Sequence, residues 1–116
     1  MTSQDCIFCK IGRGDIPAEK LFDDGVVFAI RDIHPKAPVH ILVIPHAHVG
    51  ALSSETSEAV EAAARCLSAA PEVARPAGVD AESGYRLVVN QGPESGQEVP
   101  HFHLHILAGR RLGAMG

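Results

Sequence analysis

No apolar run in this sequence approaches the ~18–20 residues that a membrane-spanning helix needs, so nothing in it reads as a transmembrane segment. Positive charge is also in short supply. Ten Lys and Arg stand against fourteen Asp and Glu, a formal net charge of −4. That balance excludes a broad basic face for nucleic acid, so any phosphate recognised here is held by local donors. The opening residues 1–5 are polar and lack the apolar stretch of a signal peptide, and the expectation is a soluble, cytoplasmic protein. An even set of cysteines is missing too. Cys6, Cys9 and Cys66 are the three present, which argues against a disulfide framework. What remains is 116 residues, 46% hydrophobic and 21% charged, too apolar for a disordered chain. No repeat, low-complexity tract or linker interrupts it. The expectation is a single domain over 1–116 with its core over about 5–109.

The densest chemistry is His101-Phe102-His103-Leu104-His105-Ile106-Leu107. Polar and apolar residues alternate, which is the period of a β-strand. His101, His103 and His105 then share one face, and Phe102, Leu104 and Ile106 the other. Imidazole near neutral pH titrates, attacks electrophiles and binds metals. A neutral imidazole attacking phosphorus needs its second nitrogen protonated and held by an acceptor. His103, flanked on both sides, is the candidate nucleophile. The preceding loop, 92–99, contains Gly92 and Gly96, which let backbone N–H groups approach a phosphate, and Gln97 adds an amide donor.

Upstream, the spacing of Ile7, Phe8 and Ile11 predicts a short helix over 6–12, stopped by Gly12 and Gly14. Residues 19–22 and 26–30 read as strands joined by an Asp-Gly turn. A proline-stiffened loop over 31–38 leads to a doubly buried strand over 39–44 that Pro45 stops. Ser53 and Ser54 are candidate caps, and Glu55 and Glu58 candidate first-turn acids, for a helix whose apolar face is Val60, Ala63, Ala64, Leu67 and Ala70. Pro71 and Pro76 mark its kink or end. A further strand is expected over 85–89. Antiparallel succession with one long helix is the pattern of an α+β domain, a sheet with a helix across one face. Cys66 reads as a small buried hydrophobe. Cys6 and Cys9 form a CxxC that either coordinates zinc with two further ligands, packs as two buried thiols, or acts as a redox pair.

The triad resembles the signature of the histidine triad (HIT) superfamily. Cys6-Ile7-Phe8-Cys9-Lys10-Ile11, Asp15-Ile16-Pro17-Ala18-Glu19, the segment from Arg31 to His40, Val43-Ile44-Pro45-His46-Ala47-His48, Asn90 and Gly96-Gln97-Glu98-Val99 all resemble its Hint branch. The resemblance spans the chain except residues 59–83. It implies a HIT-like antiparallel sheet of about five strands with one long and one short N-terminal helix, pairing as a homodimer. It also implies a nucleotide-binding hydrolase of purine nucleoside 5′-phosphoramidates or acyl-adenylates, acting through a nucleotidyl-histidine intermediate. A binding or scaffold protein with vestigial activity, and a dinucleoside polyphosphate hydrolase, are the alternatives.

Position by position, the resemblance makes His103 the nucleophile and makes His105 and His40 its orienting and proton-relay partners. Asp32 would accept bonds from the ribose hydroxyls. Ile7, Phe8, Ile11, Ile30 and Ile33 would clamp base and sugar. Asn90, Gly96, Gln97 and Val99 would contact the α-phosphate or leaving group, and Glu98 stands in the leaving-group region. Cys6, Cys9, His48 and His101 match a zinc set of some members and of related uridylyltransferases. Four protein ligands leave no open position, so that zinc would be structural and not needed for catalysis. Pro100 replaces an aromatic residue frequent before the triad, and its missing N–H requires the strand to enter at an edge or after a bend.

Overall fold

A computed structural model describes residues 5–50, 52 and 57–116. The first element, α1 (Ile7–Arg13), starts from Cys6 in extended conformation (φ −75°, ψ 123°) and ends at Gly14 (φ 84°), whose N–H bonds back to the Ile11 carbonyl. Gly12 does not stop it. It lies inside the helix, where a Cβ would sit 3.1 Å from both His46 Nδ1 and the Phe28 ring. Glycine there is a matter of close approach, while Gly14 supplies the left-handed turn.

Five strands follow: β1 (Phe22–Asp23), β2 (Val27–Arg31), β3 (Val39–Pro45), β4 (Arg86–Val88) and β5 (Leu104–Ala108). They form one antiparallel sheet in the order β1-β2-β3-β5-β4. With the long helix α2 (Ser57–Ala74) across one face, this is the expected α+β architecture. The expected strands over 19–22 and 85–89 shrink to the outer strands β1 and β4, because an outer strand is defined only where its single neighbour pairs with it.

The histidine segment differs from its expectation in the same way. The ladder begins at Leu104, so His101 and His103 lie outside it. Pro100 and the bend it imposes explain this. His101 N–H turns back to the Val99 carbonyl at 2.9 Å, and Phe102 N–H reaches the Val49 carbonyl at 2.7 Å.

Alternation along β2, β3 and β5 divides the core in two. Val27, Ala29, Ile41, Val43, Leu104 and Ile106 face α2. Phe28, Ile30, Leu42 and Ile44 face α1 with Phe8, Cys9 and Ile11. The expected apolar face of α2 is corrected in part: Ala70 is buried and Ala63 packs against the core as expected, but Val60, Ala64 and Leu67 are exposed. Val60 and Leu67 are each 53% exposed, and the residues turned to the sheet are Ala59, Ala62, Cys66, Ala69, Ala70, Val73 and Ala74. The buried stripe is displaced by about one residue, roughly 100° of helical rotation. A sheet face of branched residues leaves room for alanine and cysteine, so the small residues go inward. Pro71 lies within the helix, and Pro76 sits in the 3-10 turn Arg75–Ala77 that follows. Glu58 does occupy the first turn; Ser53, Ser54 and Glu55 lie outside the described residues.

The two helical faces predict opposite outcomes for one chemical change. Ala69→Leu overpacks the sheet contact and should cost about 1–3 kcal/mol in chemical denaturation, whereas Ala64→Leu, on the exposed side, should stay within about 0.5 kcal/mol.

Candidate functional site

Directly opposed residues of an antiparallel pair share a face. The register places Ile30 of β2 against Leu42 of β3, Leu42 against His105 of β5, and His105 against Val88 of β4. One row of side chains thus crosses four strands and forms the floor of a cleft of about 550 Å³. The next row along holds His40 opposite Leu107. Every residue expected at the nucleotide site lines this cleft: Ile7, Phe8, Ile11, Ile30, Asp32, Ile33, His40, Asn90, Gly96, Gln97, Glu98, Val99, His103 and His105. Phe8, Ile11 and Ile30 are already packed in the core, which is what ordinary core residues do. Ile7 and Ile33 are different, at 46% and 86% exposed, and have apolar surface left to bury against a flat ligand.

Backbone partners settle the protonation of the imidazoles. Lys36 N–H donates to His40 Nδ1 at 3.0 Å, so that nitrogen carries a lone pair and His40 holds its proton on Nε2. That Nε2–H points at His105 Nδ1, 2.9 Å away, with Asp32 Oδ2 at 3.4 Å. His105 therefore accepts at Nδ1 and carries its proton on Nε2, which is buried and has no hydrogen-bond partner among the described residues. His103 Nδ1–H donates to the His101 carbonyl at 2.8 Å, leaving the Nε2 lone pair uncommitted in the cleft. Burial disfavours charge on this chain. It lowers the His40 pKa, and with the neighbouring His103 and His40 it lowers that of His105 to about 4.

The loop before the triad is held by its own turns. Gln97 Oε1 accepts Gly92 N–H at 2.8 Å, which leaves the Gln97 amide N–H groups available to a ligand. Asp32 is a loop carboxylate whose Oδ1 accepts His34 N–H at 2.8 Å. Glu98 is exposed at the cleft edge.

The four cysteine and histidine positions also converge. Cys6 Sγ lies 3.3 Å from His101 Nδ1, Cys9 Sγ 3.3 Å from His48 Nδ1 and 3.6 Å from His101 Nδ1, and the two Nδ1 atoms are 3.2 Å apart. A tetrahedral zinc centre with ordinary Zn–S and Zn–N bonds has donor-to-donor edges of about 3.3–3.8 Å. The spacing fits. His101 Nε2–H is taken by the Pro45 carbonyl at 2.8 Å, so its Nδ1 offers a lone pair. One lone pair cannot satisfy three neighbours as hydrogen bonds; a shared cation at their centre satisfies all four donors. Burial lowers the His101 pKa to about 4 and, with the Cys6 hydrogen bond, raises the Cys9 thiol to about 11. Neutral imidazole is the form a metal takes, and a bound cation is what turns such a thiol into thiolate.

Asp32, His40 and His105 form a second close group of donor atoms. Here the protonation pattern opposes a metal: His40 carries its proton on the nitrogen that would have to coordinate, and Lys36 N–H prevents the other tautomer. The sequence reading missed the floor residues Leu42, Val88 and Leu107. The signal for Leu42 was present, since it lies two residues from His40 on the same strand face.

A HIT domain family model matches residues 13–112. The chain is 42% identical over 113 residues to purine nucleoside phosphoramidase of Escherichia coli K12, across 97% of this chain and 94% of that protein. Its fold superimposes on a histidine triad protein from Clostridium difficile with a TM-score of 0.90, at 39% identity and full coverage of both chains. A zinc-bound histidine triad family protein from Mycobacterium smegmatis gives a TM-score of 0.75 at 33% identity, over 94% of this chain and 78% of that one.

His105 makes stability depend on pH. Its folded pKa of about 4 lies below the ordinary 6.5, so between these values the unfolded chain binds the extra proton. The contribution is complete above about pH 6.5 and is lost as pH falls toward 4, with His40 adding in the same direction. In protein kept metal-free with chelator, the thermal midpoint should fall across that window, and His105→Gln should flatten the slope.

Proposed function

This chain belongs to the HIT domain family, and we propose that it is a hydrolase of purine nucleoside 5′-phosphoramidates and related acyl-adenylates. The observation that carries this reading is the state of His103. Its Nδ1–H is committed to a main-chain carbonyl, and its Nε2 lone pair opens into a cleft with apolar walls and polar ends.

In the proposed reaction, His103 Nε2 forms a bond to the α-phosphorus as the P–N bond breaks. The amine departs with a proton taken from water in the open cleft. The phosphorylated ring is cationic, and the His101 carbonyl supports that charge through the Nδ1–H it accepts. Water then attacks phosphorus and returns the borrowed proton to solvent, while His103 leaves and nucleoside monophosphate is released. His40 holds His105 so that the unpartnered His105 Nε2–H can donate to a phosphoryl oxygen as charge builds on it. Gln97 amide N–H groups and the backbone around Gly96 and Val99 contribute further donors. Asp32 accepts from the ribose, and Ile7 and Ile33 close on the base. Asn90 contacts the phosphate, and Glu98 borders the leaving group.

Zinc is the metal proposed for Cys6, Cys9, His48 and His101. Two thiolates and two imidazoles make a closed set that holds structure rather than activating water. We also propose a homodimer. β4 is an outer strand carrying exposed Leu87, with exposed Val89 just past its end, and α2 turns Val60 and Leu67 outward, so pairing would cover both.

Rapid quenching with labelled purine phosphoramidate should trap a nucleotidyl adduct on His103, and His103→Ala should lower kcat by about a thousandfold or more. An unchanged rate in that variant overturns the mechanism. Metal analysis of the purified protein should find one zinc ion per chain, absent from Cys9→Ser. Sedimentation should give a dimer mass that Leu67→Glu shifts toward monomer.

A further inference from the structure

We propose that the Cys6, Cys9, His48 and His101 group is a positioning centre for the nucleophile, acting through the main chain of His101. The inference rests on the reading of His103 as nucleophile and assigns the four-donor group a part in its chemistry as well as in the fold.

His101 has two ends with different work. Its imidazole is pinned at both nitrogens, Nε2–H to the Pro45 carbonyl at 2.8 Å and Nδ1 toward the two thiols and His48. Its carbonyl accepts His103 Nδ1–H at 2.8 Å. That bond decides which His103 nitrogen is free to attack, because protonation at Nδ1 puts the lone pair on Nε2. A carbonyl inside a β-ladder would be oriented by the ladder. This one is not: pairing starts at Leu104, and among the described residues its own peptide group is fastened by Phe102 N–H to the carbonyl of Val49, the residue that follows His48, at 2.7 Å. The four-donor group therefore holds that peptide group from two sides, through the His101 ring and through His48, which anchors the chain just before Val49. Phe8 adds a mechanical link, its ring meeting those of His101 and His103 edge-on at 5.8 and 5.1 Å.

If the donor group is left without its ion, His101 Nδ1 faces two thiols and another imidazole with no single partner. Its ring is then held at one end, His48 is released beside the Val49 carbonyl that fastens the peptide group, and the His101 carbonyl loses its fixed aim. His103 becomes free to place its proton on either nitrogen, and the Nε2–H form cannot attack. Substrate binding by the apolar clamp and Asp32 is a separate matter. The signature of a positioning role is a fall in kcat with KM held.

His48 is the residue to change, because it does not line the cleft and is not part of α1. The proton position on His103 is read from imidazole ¹⁵N shifts at fixed pH in zinc-loaded wild type, chelator-stripped wild type, His48→Ala and His48→Cys. Zinc-loaded wild type and His48→Cys, which restores a donor, should show the Nδ1–H tautomer alone. Stripped protein and His48→Ala should show both tautomers, with kcat down about tenfold and KM within about twofold. An Nδ1–H tautomer that persists in stripped, folded protein overturns the proposal. So does a rise in KM at constant kcat, which would assign the group to the clamp on α1. Unfolding of both stripped protein and His48→Ala would make it a folding staple only, and overturns it too. If wild type does not hydrolyse phosphoramidates, the proposed substrate class fails while the tautomer comparison still decides this question.

Discussion

The antiparallel register of β3 on β5, with Leu42 opposite His105, is the constraint from which the rest of the structure follows. It puts His40 and His105 on the same face within hydrogen-bond reach, and it sends Ile41, Val43, Leu104 and Ile106 to the helix side. A slip of one residue would exchange the faces, placing imidazoles against α2 and isoleucines in the cleft. Both consequences are costly, so one pairing satisfies the core and the site together. The proposed catalytic arrangement and hydrophobic burial are selected by the same hydrogen bonds.

Low dielectric and fixed backbone dipoles then do what charge does not. The chain is acidic overall, and burial lowers the pKa of His40 and His105, favouring their neutral forms. The tautomers of the cleft histidines are imposed by Lys36 N–H at one end of the cleft and the His101 carbonyl at the other. A phosphate entering such a site meets preorganised donors rather than a basic patch, which is consistent with the composition.

Much of the site was legible because side-chain chemistry was explicit. Alternation put the triad on one face, and the CxxC, His48 and His101 carried a donor set that the fold gathers into one cluster. What stayed hidden was carried by backbone groups or by weakly patterned residues. Nothing in the letters at Lys36 or Pro45 announces that a main-chain N–H or C=O will set an imidazole's proton. The helix face was misread because Val60 and Leu67 outweigh alanine in any apolar count, while packing against branched strands rewards small volume. The extent of the histidine strand was overestimated because alternation continues through Pro100's bend after the ladder has ended.

The alanine-lined side of α2 sets different limits on change for the two sides of one helix. Where the helix meets the sheet, substitution is confined to residues of nearly the same small volume, since each added methylene meets a neighbour already in place. The outward side carries no such volume limit except at Val60 and Leu67, which the proposed dimer covers. Mutational drift along this segment should therefore run on the side away from the sheet, so the part of the chain least like its relatives need not be the part least important to the fold.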